Sequence, residues 1–325
     1  MDEEAGDAVV RVAILDDYQG VALQMADWGT LPTGTELQVF RHHLADEVAV
    51  AERLADVEVV VAMRERTPFP RRLLERLPKL RLLVTTGMRN ASIDLAAATE
   101  RGIVVCGTGG VGAATAELTW GLILALLRQI PREDAATRGG AWQVSVGVGL
   151  HDKTLGVLGL GNLGSRVATV GRAFGMRVVA WSQNLTAARA AEVGATLVGK
   201  DELLAQADIL SIHLVLSERT RGLIGARELG LMKPTAYLVN TSRGPIVDEA
   251  ALIDALRRSA IAGAALDVFD VEPLPADHPL RGLPNTVVTP HLGYVTAETY
   301  RVFFGDAVED IRRFLAGTPV RVLSA

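Results

Sequence analysis

A chain of 325 residues, 49% of them hydrophobic, exceeds the usual single-domain size, so two domains with sizeable cores are expected. A net charge of −5 gives no reason to expect a nucleic-acid or membrane partner, and no run of roughly eighteen apolar residues marks a transmembrane helix. One cysteine, Cys106, excludes an intrachain disulfide and fits a reducing, cytoplasmic location, and the acidic N-terminus MDEEAGDA lacks the apolar centre of a signal peptide.

The first hundred residues alternate short apolar runs with helical patterns. Strands are expected at 9–15, 37–40, 57–62, 80–85 and 103–105, with helices at 46–54, 70–77 and 93–100 between them. This alternation means a parallel sheet covered on both faces. Cys106 follows the last run and reads as a buried strand-end residue rather than a reactive thiol. GTGGVG at 107–112 lacks the Lys-Ser/Thr of a P-loop and reads as a hinge. The apolar stretch 113–130 predicts one long helix ended by Pro131, about 27 Å in length. A loop at 138–149 follows, with Trp142 as an interface anchor.

The stretch TLGVLGLGNLGSRVATVGRAFGMRVVAWS at 154–182 organises the second half. It is strand, glycine turn, helix, strand, with Gly159, Gly161 and Gly164 in G-x-G-x-x-G register. Gly159 permits the tight turn, Gly161 lets backbone approach a pyrophosphate, and Gly164 lets the helix pack against the strand. The N–H groups of the first helical turn face the phosphates. Further strands are expected at 196–198, 209–213, 236–240, 262–266 and 286–288, giving six or seven parallel strands. An amphipathic helix at 297–316 is expected to cross back to the first domain. The domain boundaries follow as 1–106 for the first part of a substrate domain, 107–291 for a dinucleotide-binding domain, and 292–325 for the returning helix.

Three strand ends carry reactive side chains: Arg243 in NTSRGP, Glu272 in LDVFDVEP and His291 in TPHLG. In open α/β sheets ligands sit outside the carboxyl ends of strands. An imidazole exchanges a proton with a hydroxyl near neutral pH, a carboxylate orients it, and a guanidinium holds a substrate carboxylate in a two-bond fork. With a nicotinamide beside them, these groups interconvert an alcohol and a ketone next to an acid. His213 also ends a strand, without an obvious partner, and reads as structural or cofactor-lining. His42, His43 and His151 lie in polar connections and read as solvated. No cluster has metal-ligand spacing.

The motifs GLGNLG, NTSRGPIVDEAAL, LDVFDVEPLP and NTVVTPHLGY, with RNASIDLAAATERGI and AELTWGLILALLR, resemble those of the D-isomer-specific 2-hydroxyacid dehydrogenases over about 57–315. The resemblance implies a discontinuous flavodoxin-like substrate domain, a doubly wound Rossmann NAD(P) domain and a homodimer. It places the carboxylate anchor on Arg243, the acid partner on Glu272 and the acid/base on His291. It also implies cofactor contacts at Asn162, Leu163, Leu214, Thr241, Ser242 and Asp267, the last near the nicotinamide amide. The substrate loop falls on Gly87, Met88, Arg89 and Asn90, with Arg89 and Asn90 where small residues are common, which suggests a second acidic or polar group on the substrate. Formate dehydrogenases have glutamine at the place of Glu272, which argues against formate. The end at Ala325 is expected to exclude the regulatory tail of long phosphoglycerate dehydrogenases. A cofactor-sensing, corepressor-like binding protein on the same fold is the alternative to an enzyme.

In NAD-selective Rossmann domains a carboxylate about twenty residues beyond the turn holds the ribose hydroxyls. That place is Ser182 here, followed by Gln183 and Asn184, all hydrogen-bond donors and none acidic. NADP(H) is therefore expected to be accepted with a moderate preference over NAD(H), with Arg189 able to reach back.

Overall fold

The computed structural model describes residues 9–324. The MDEEAGDA stretch and Ala325 lie outside the described residues, and with them the reading that there is no signal peptide. Two compact units are present, Met1–Val111 with Thr296–Ala325, and Gly112–Val295.

In the first unit, strands β1 (Arg11–Ile14), β2 (Glu36–Val39), β3 (Val59–Ala62), β4 (Leu82–Thr85) and β5 (Val104–Gly107) form one parallel sheet in the order β2-β1-β3-β4-β5. Every residue of β3 and β4 is buried, as continuous apolar strands covered on both faces require. The helices are α1 (Glu47–Leu54), α2 (Arg71–Leu74) and α3 (Leu95–Glu100). Asp46 caps α1 by accepting from Val48 N and Ala49 N, and Asp94 caps α3 by accepting from Ala97 N. The α3 helix starts later than expected because Ile93 pairs with Phe69 as a β-bridge.

The helix Ala297–Leu315 belongs to this unit, with Thr296 as its cap. It buries Tyr300, Phe303, Phe304 and Ile311, and truncating one such phenylalanine costs about 3–5 kcal/mol. The tail beyond it lies along β5, where Gly107 N donates to Arg321 O and Leu323 N to Val105 O. Arg321 sits on the acidic face of the helix, 3.0 Å from Asp310 Oδ1 and 2.8 Å from Glu309. Asp310 is fully buried and its Oδ2 accepts no hydrogen bond; burial pushes its carboxyl up to about 7. Cys106 is buried beside Val322, and burial pushes its thiol up to about 12, which fits an inert core residue.

The second unit contains α4 (Ala114–Leu127), α5 (Ile130–Arg138), β6 (Thr154–Leu158), α6 (Asn162–Ala173), β7 (Arg177–Trp181), α7 (Ala187–Ala191), β8 (Thr196–Leu197), α8 (Lys200–Gln206), β9 (Ile209–Ile212), α9 (Ala226–Leu231), β10 (Tyr237–Asn240), α10 (Glu249–Arg257), β11 (Gly263–Leu266) and β12 (Thr286–Val288). Its seven strands are parallel in the order β12-β11-β10-β9-β6-β7-β8. Strand order reverses between β6 and β9, so the crevice for a ligand lies at the carboxyl ends of those two strands.

Three expectations differ from the structure. The long helix at 113–130 is two helices. Its first part ends at Leu127, Gln129 takes a left-handed φ of 55°, and Ile130 starts α5. Pro131 stands in the first turn of α5, where its missing N–H has no intrahelical partner to lose, so it starts a helix rather than ending one. His43, read as solvated, is largely buried with Nδ1 3.1 Å from Asp16 Oδ1. The units also join later than expected, at 111/112 and 295/296 instead of 106/107 and 291/292. Gly107 closes β5 and Gly109 N donates to Asp306 Oδ2 at 2.7 Å, which ties 107–111 to the first unit. Leu292 N and Gly293 N donate to Asp267, which ties 292–295 to the second.

Candidate active site

The glycine turn leaves β6 at the strand-order reversal. Gly159 has φ +100°, and a Cβ there would lie 2.7 Å from His213 O at the end of β9. A Cβ on Gly164 would lie 2.0 Å from Gly159 O, so α6 packs on the turn more closely than any side chain allows. Gly161 differs, because a Cβ there would meet no protein atom within 4 Å. Nothing in the protein excludes a side chain at Gly161, and the clearance beside the first-turn N–H groups of Asn162 and Leu163 is what a pyrophosphate needs. The residues present therefore fit a dinucleotide. Ser182 is half-buried just past the end of β7, and Gln183 and Asn184 are exposed. Arg189 pairs with Glu192 within α7 and its neighbourhood rather than turning back to the strand end.

His213 is joined through Nε2 to Ser211 Oγ at 2.8 Å, the partner that sequence inspection did not find. Burial holds it at about 4, so it is neutral near pH 7 and offers no charge to a cofactor or a proton to a substrate. Ser242 Oγ donates to Leu214 O, which joins the chain after β10 to the chain after β9. Thr241 Oγ1 meets Thr119 Oγ1 of α4 at 2.8 Å, and Thr119 Oγ1 also donates to Thr115 O.

The catalytic candidates leave three adjacent strands. Arg243 follows β10 in a loop folded by Asn240, whose Nδ2 donates to Arg243 O and whose Oδ1 accepts from Ser242 N. Gly244, not singled out from sequence, has a positive role: a Cβ there would lie 2.1 Å from Phe269 C, so the loop after β10 lies directly on the loop after β11. That second loop carries Glu272, whose Oε1 accepts from Phe269 N at 3.0 Å. Its other oxygen, Oε2, lies 2.6 Å from His291 Nδ1. Each carboxylate oxygen thus has one job, one holding its own loop and the other holding the imidazole. With Nδ1 engaged, Nε2 is the ring nitrogen left for a ligand. Tyr294 packs edge-on against the imidazole, with ring centres 5.4 Å apart.

Asp267 is fully buried after β11. Its Oδ1 accepts from Thr289 Oγ1 at 2.6 Å and Leu292 N at 2.7 Å, and its Oδ2 accepts from Gly293 N at 2.9 Å. Burial raises its pKa, and those three donors act against the rise. No group of metal ligands occurs among the described residues.

The substrate-loop candidates lie in the first unit, after β4. Gly87 has φ +89° and its N–H donates to Thr108 Oγ1 at 2.8 Å. Met88 and Arg89 are exposed. Asn90 is buried, with Nδ2 donating to Arg64 O and Thr85 Oγ1 and Oδ1 accepting from Ser92 N and Oγ. Its side-chain amide is engaged in folding the loop. Arg64, which sequence inspection passed over, follows β3 and reaches this loop, with Nη1 donating to Thr86 O at 3.0 Å.

A parallel sheet with a glycine turn at its switch point, and a His–Glu pair and an arginine following three adjacent strands, fits a nicotinamide-dependent oxidoreductase site. The comparisons agree. Residues 120–293 match the family model for the NAD-binding domain of D-isomer-specific 2-hydroxyacid dehydrogenases. Glyoxylate reductase of Aeropyrum pernix is 46% identical over 255 residues, 75% of this chain and 76% of that one. D-3-phosphoglycerate dehydrogenase of Methanocaldococcus jannaschii is 38% identical over 82% of this chain, which spans only 51% of that longer protein. The crystal structure of a phosphoglycerate oxidoreductase from Vibrio cholerae O395 superposes with a TM-score of 0.90 at 37% identity, covering 95% of this chain and 100% of that one. The chain belongs to the D-isomer-specific 2-hydroxyacid dehydrogenase family, and it is an NAD-dependent oxidoreductase of that class. No helix among the described residues is long and apolar enough to cross a membrane.

Proposed function

We propose that the protein reduces a 2-oxoacid to the D-2-hydroxyacid, or runs the reverse oxidation, with His291 as acid/base, Glu272 as its partner and Arg243 as the carboxylate anchor. The observation that carries this reading is the 2.6 Å contact of His291 Nδ1 with Glu272 Oε2, beyond the ends of β12 and β11, with Arg243 following β10, the next strand of the sheet. When bound, the nicotinamide supplies or takes up the hydride at C2 of the acid. Arg243 offers a planar pair of N–H donors to the substrate carboxylate. In reduction, protonated His291 donates from Nε2 to the carbonyl oxygen, and Glu272 holds the resulting ring in place through Nδ1. In oxidation the same nitrogen accepts the hydroxyl proton. Gly159, Gly161, Asn162, Leu163 and Gly164 would hold the pyrophosphate, with Leu214, Thr241 and Ser242 nearer the nicotinamide.

The cofactor is NAD(P)H, with NADPH moderately preferred. The absence of a carboxylate at Ser182, Gln183 and Asn184 supports this, since an acidic side chain there would repel a 2′-phosphate. The substrate is a small 2-oxoacid, with Met88 and Arg89 the loop residues to test for contact with a second polar group. A cytoplasmic homodimer is the expected assembly; Trp142, 78% exposed, and Val146, 97% exposed, support a contact between copies in the second unit. The test is a panel of 2-oxoacids, glyoxylate and a phosphorylated 3-carbon acid among them, followed by reduced-nicotinamide absorbance with NADH and NADPH. Turnover of none of them, by folded protein that binds the cofactor, would refute the reading.

A further inference from the structure

Glu272 is carried by a long irregular connection. Between the end of β11 at Leu266 and the start of β12 at Thr286, the one helical element is the turn Pro279–Arg281. The place of Glu272 therefore depends on side-chain bonds within and across that connection. One carboxylate from outside reaches it at two points. Glu249, the first residue of α10, lies 3.0 Å through Oε1 from His278 Nε2, and its Oε2 accepts from Asp270 N at 3.4 Å. Asp270 and His278 bracket the segment that contains Glu272, so this one carboxylate closes the segment as a clip. The His278 ring is set for the task. Its Nδ1 accepts from Leu280 N at 3.3 Å, which leaves the proton on Nε2 to be donated to Glu249. The side chains of His278 and Glu249 are only 16% and 22% exposed, so solvent competes for the bond less than in a surface pair. Within the segment, Arg281 holds the carbonyls, with Nε donating to Pro275 O at 2.7 Å and Nη2 to Leu274 O at 2.6 Å.

We propose that Glu249 and His278 are positioning residues for Glu272, closing the segment 270–278 so that its carboxylate stays aimed at the imidazole. The proposal rests on the reading of Glu272 as the partner of His291 and extends it. The close contact of Gly244 with Phe269 fixes where the segment begins, since a Cβ on Gly244 would lie 2.1 Å from Phe269 C. The clip fixes the stretch that follows. Glu272 Oε1 is bound to Phe269 N at 3.0 Å, so a shift of the segment moves Oε2, the oxygen 2.6 Å from His291 Nδ1. Arg243 is placed by a separate device, the Asn240 amide at the end of β10, so substrate binding should not depend on the clip. A glutamine at position 249 supplies one acceptor oxygen for two donors, His278 Nε2 and Asp270 N, and one end of the clip opens.

The experiment compares Glu249→Gln, His278→Ala and Glu272→Gln in the full chain, with each of the first two also combined with the third. It measures kcat and KM for the 2-oxoacid of the panel turned over fastest, and the Kd of the reduced cofactor by fluorescence. Glu249→Gln and His278→Ala should each lower kcat about five- to tenfold while KM and the cofactor Kd change by less than about twofold. In the Glu272→Gln background each should lower kcat by less than about twofold more, because the carboxylate they aim has already lost its charge. A merely structural role would cost the same in both backgrounds. His278→Ala, in the irregular segment, decides the matter if Glu249→Gln does not fold. The full loss repeated in the Glu272→Gln background, or KM and cofactor Kd that rise in step with the loss, would overturn the proposal. Unchanged kcat in Glu272→Gln would instead remove the reading of Glu272, and the proposal with it. An impaired Glu272→Gln beside unimpaired Glu249→Gln and His278→Ala would remove the proposal alone.

Discussion

Glu272→Gln isolates one charge in the proposed site. Glutamine keeps the shape of the side chain and an oxygen that can accept from Phe269 N, so the loop after β11 should hold. What is lost is the anionic acceptor 2.6 Å from His291 Nδ1. Hydrogen bonds to charged groups contribute about 1.5–3 kcal/mol, and both groups are only partly exposed, so screening should not erase the effect. Since about 1.4 kcal/mol corresponds to tenfold in rate, kcat/KM for 2-oxoacid reduction should fall by about ten- to a hundredfold, with the Kd of the reduced cofactor little changed. The sign follows because the imidazole loses the anion that orients its ring. The assay is kcat/KM and the cofactor Kd for both proteins in one buffer. An unchanged kcat/KM, with the variant folded, would refute the pairing as a source of catalysis.

Arg243→Ala should lose several kcal/mol of transition-state stabilisation, roughly a hundredfold or more in kcat/KM, and Arg243→Lys should recover little because an ammonium cannot form the planar fork; near-normal kinetics in the alanine variant would take Arg243 out of the site. Ser182→Asp should turn the cofactor preference toward NADH, mainly by raising KM for NADPH, and a wild-type kcat/KM ratio favouring NADH by more than about tenfold would defeat that assignment. Asp310 is raised to about 7 in the fold, so the stability conferred by its protonation is fully present below the unfolded value near 3.8 and lost as pH rises through about 7. Asp310→Asn, which can still accept from Arg321, should therefore raise Tm at pH 8 and make little difference at pH 4, and an equal effect at both would show that the carboxyl is not the cause.

The parallel sheets were legible because strands buried on both faces appear as uninterrupted apolar runs, and β3 and β4 carry no polar side chain before Thr85. Helix ends were less legible where one residue type has two meanings. Pro131 can follow one helix or open the next, and only the left-handed Gln129 decides between them. In the site, the positions of Arg243, Glu272 and His291 followed from strand ends and side-chain chemistry. The environment of each did not, because the partners are remote in sequence. His43 was read as solvated while its partner Asp16 lies 27 residues away, and Asn90 was read as a ligand contact while Arg64 O, one of its acceptors, lies 26 away.

The remote partners have a common form, and it accounts for the misplaced junctions as well. Buried or half-buried carboxylates take up backbone N–H groups that no strand or helix satisfies: Asp306 for Gly109, and Asp267 for Leu292 and Gly293. A buried N–H without an acceptor is costly, so each carboxylate binds a neighbouring irregular segment to its own unit. Periodicity carries no trace of such a bond, since donor and acceptor belong to different elements and neither lies in a repeating pattern. The junctions at 111/112 and 295/296 therefore fall a few residues later than the boundaries expected at 106/107 and 291/292.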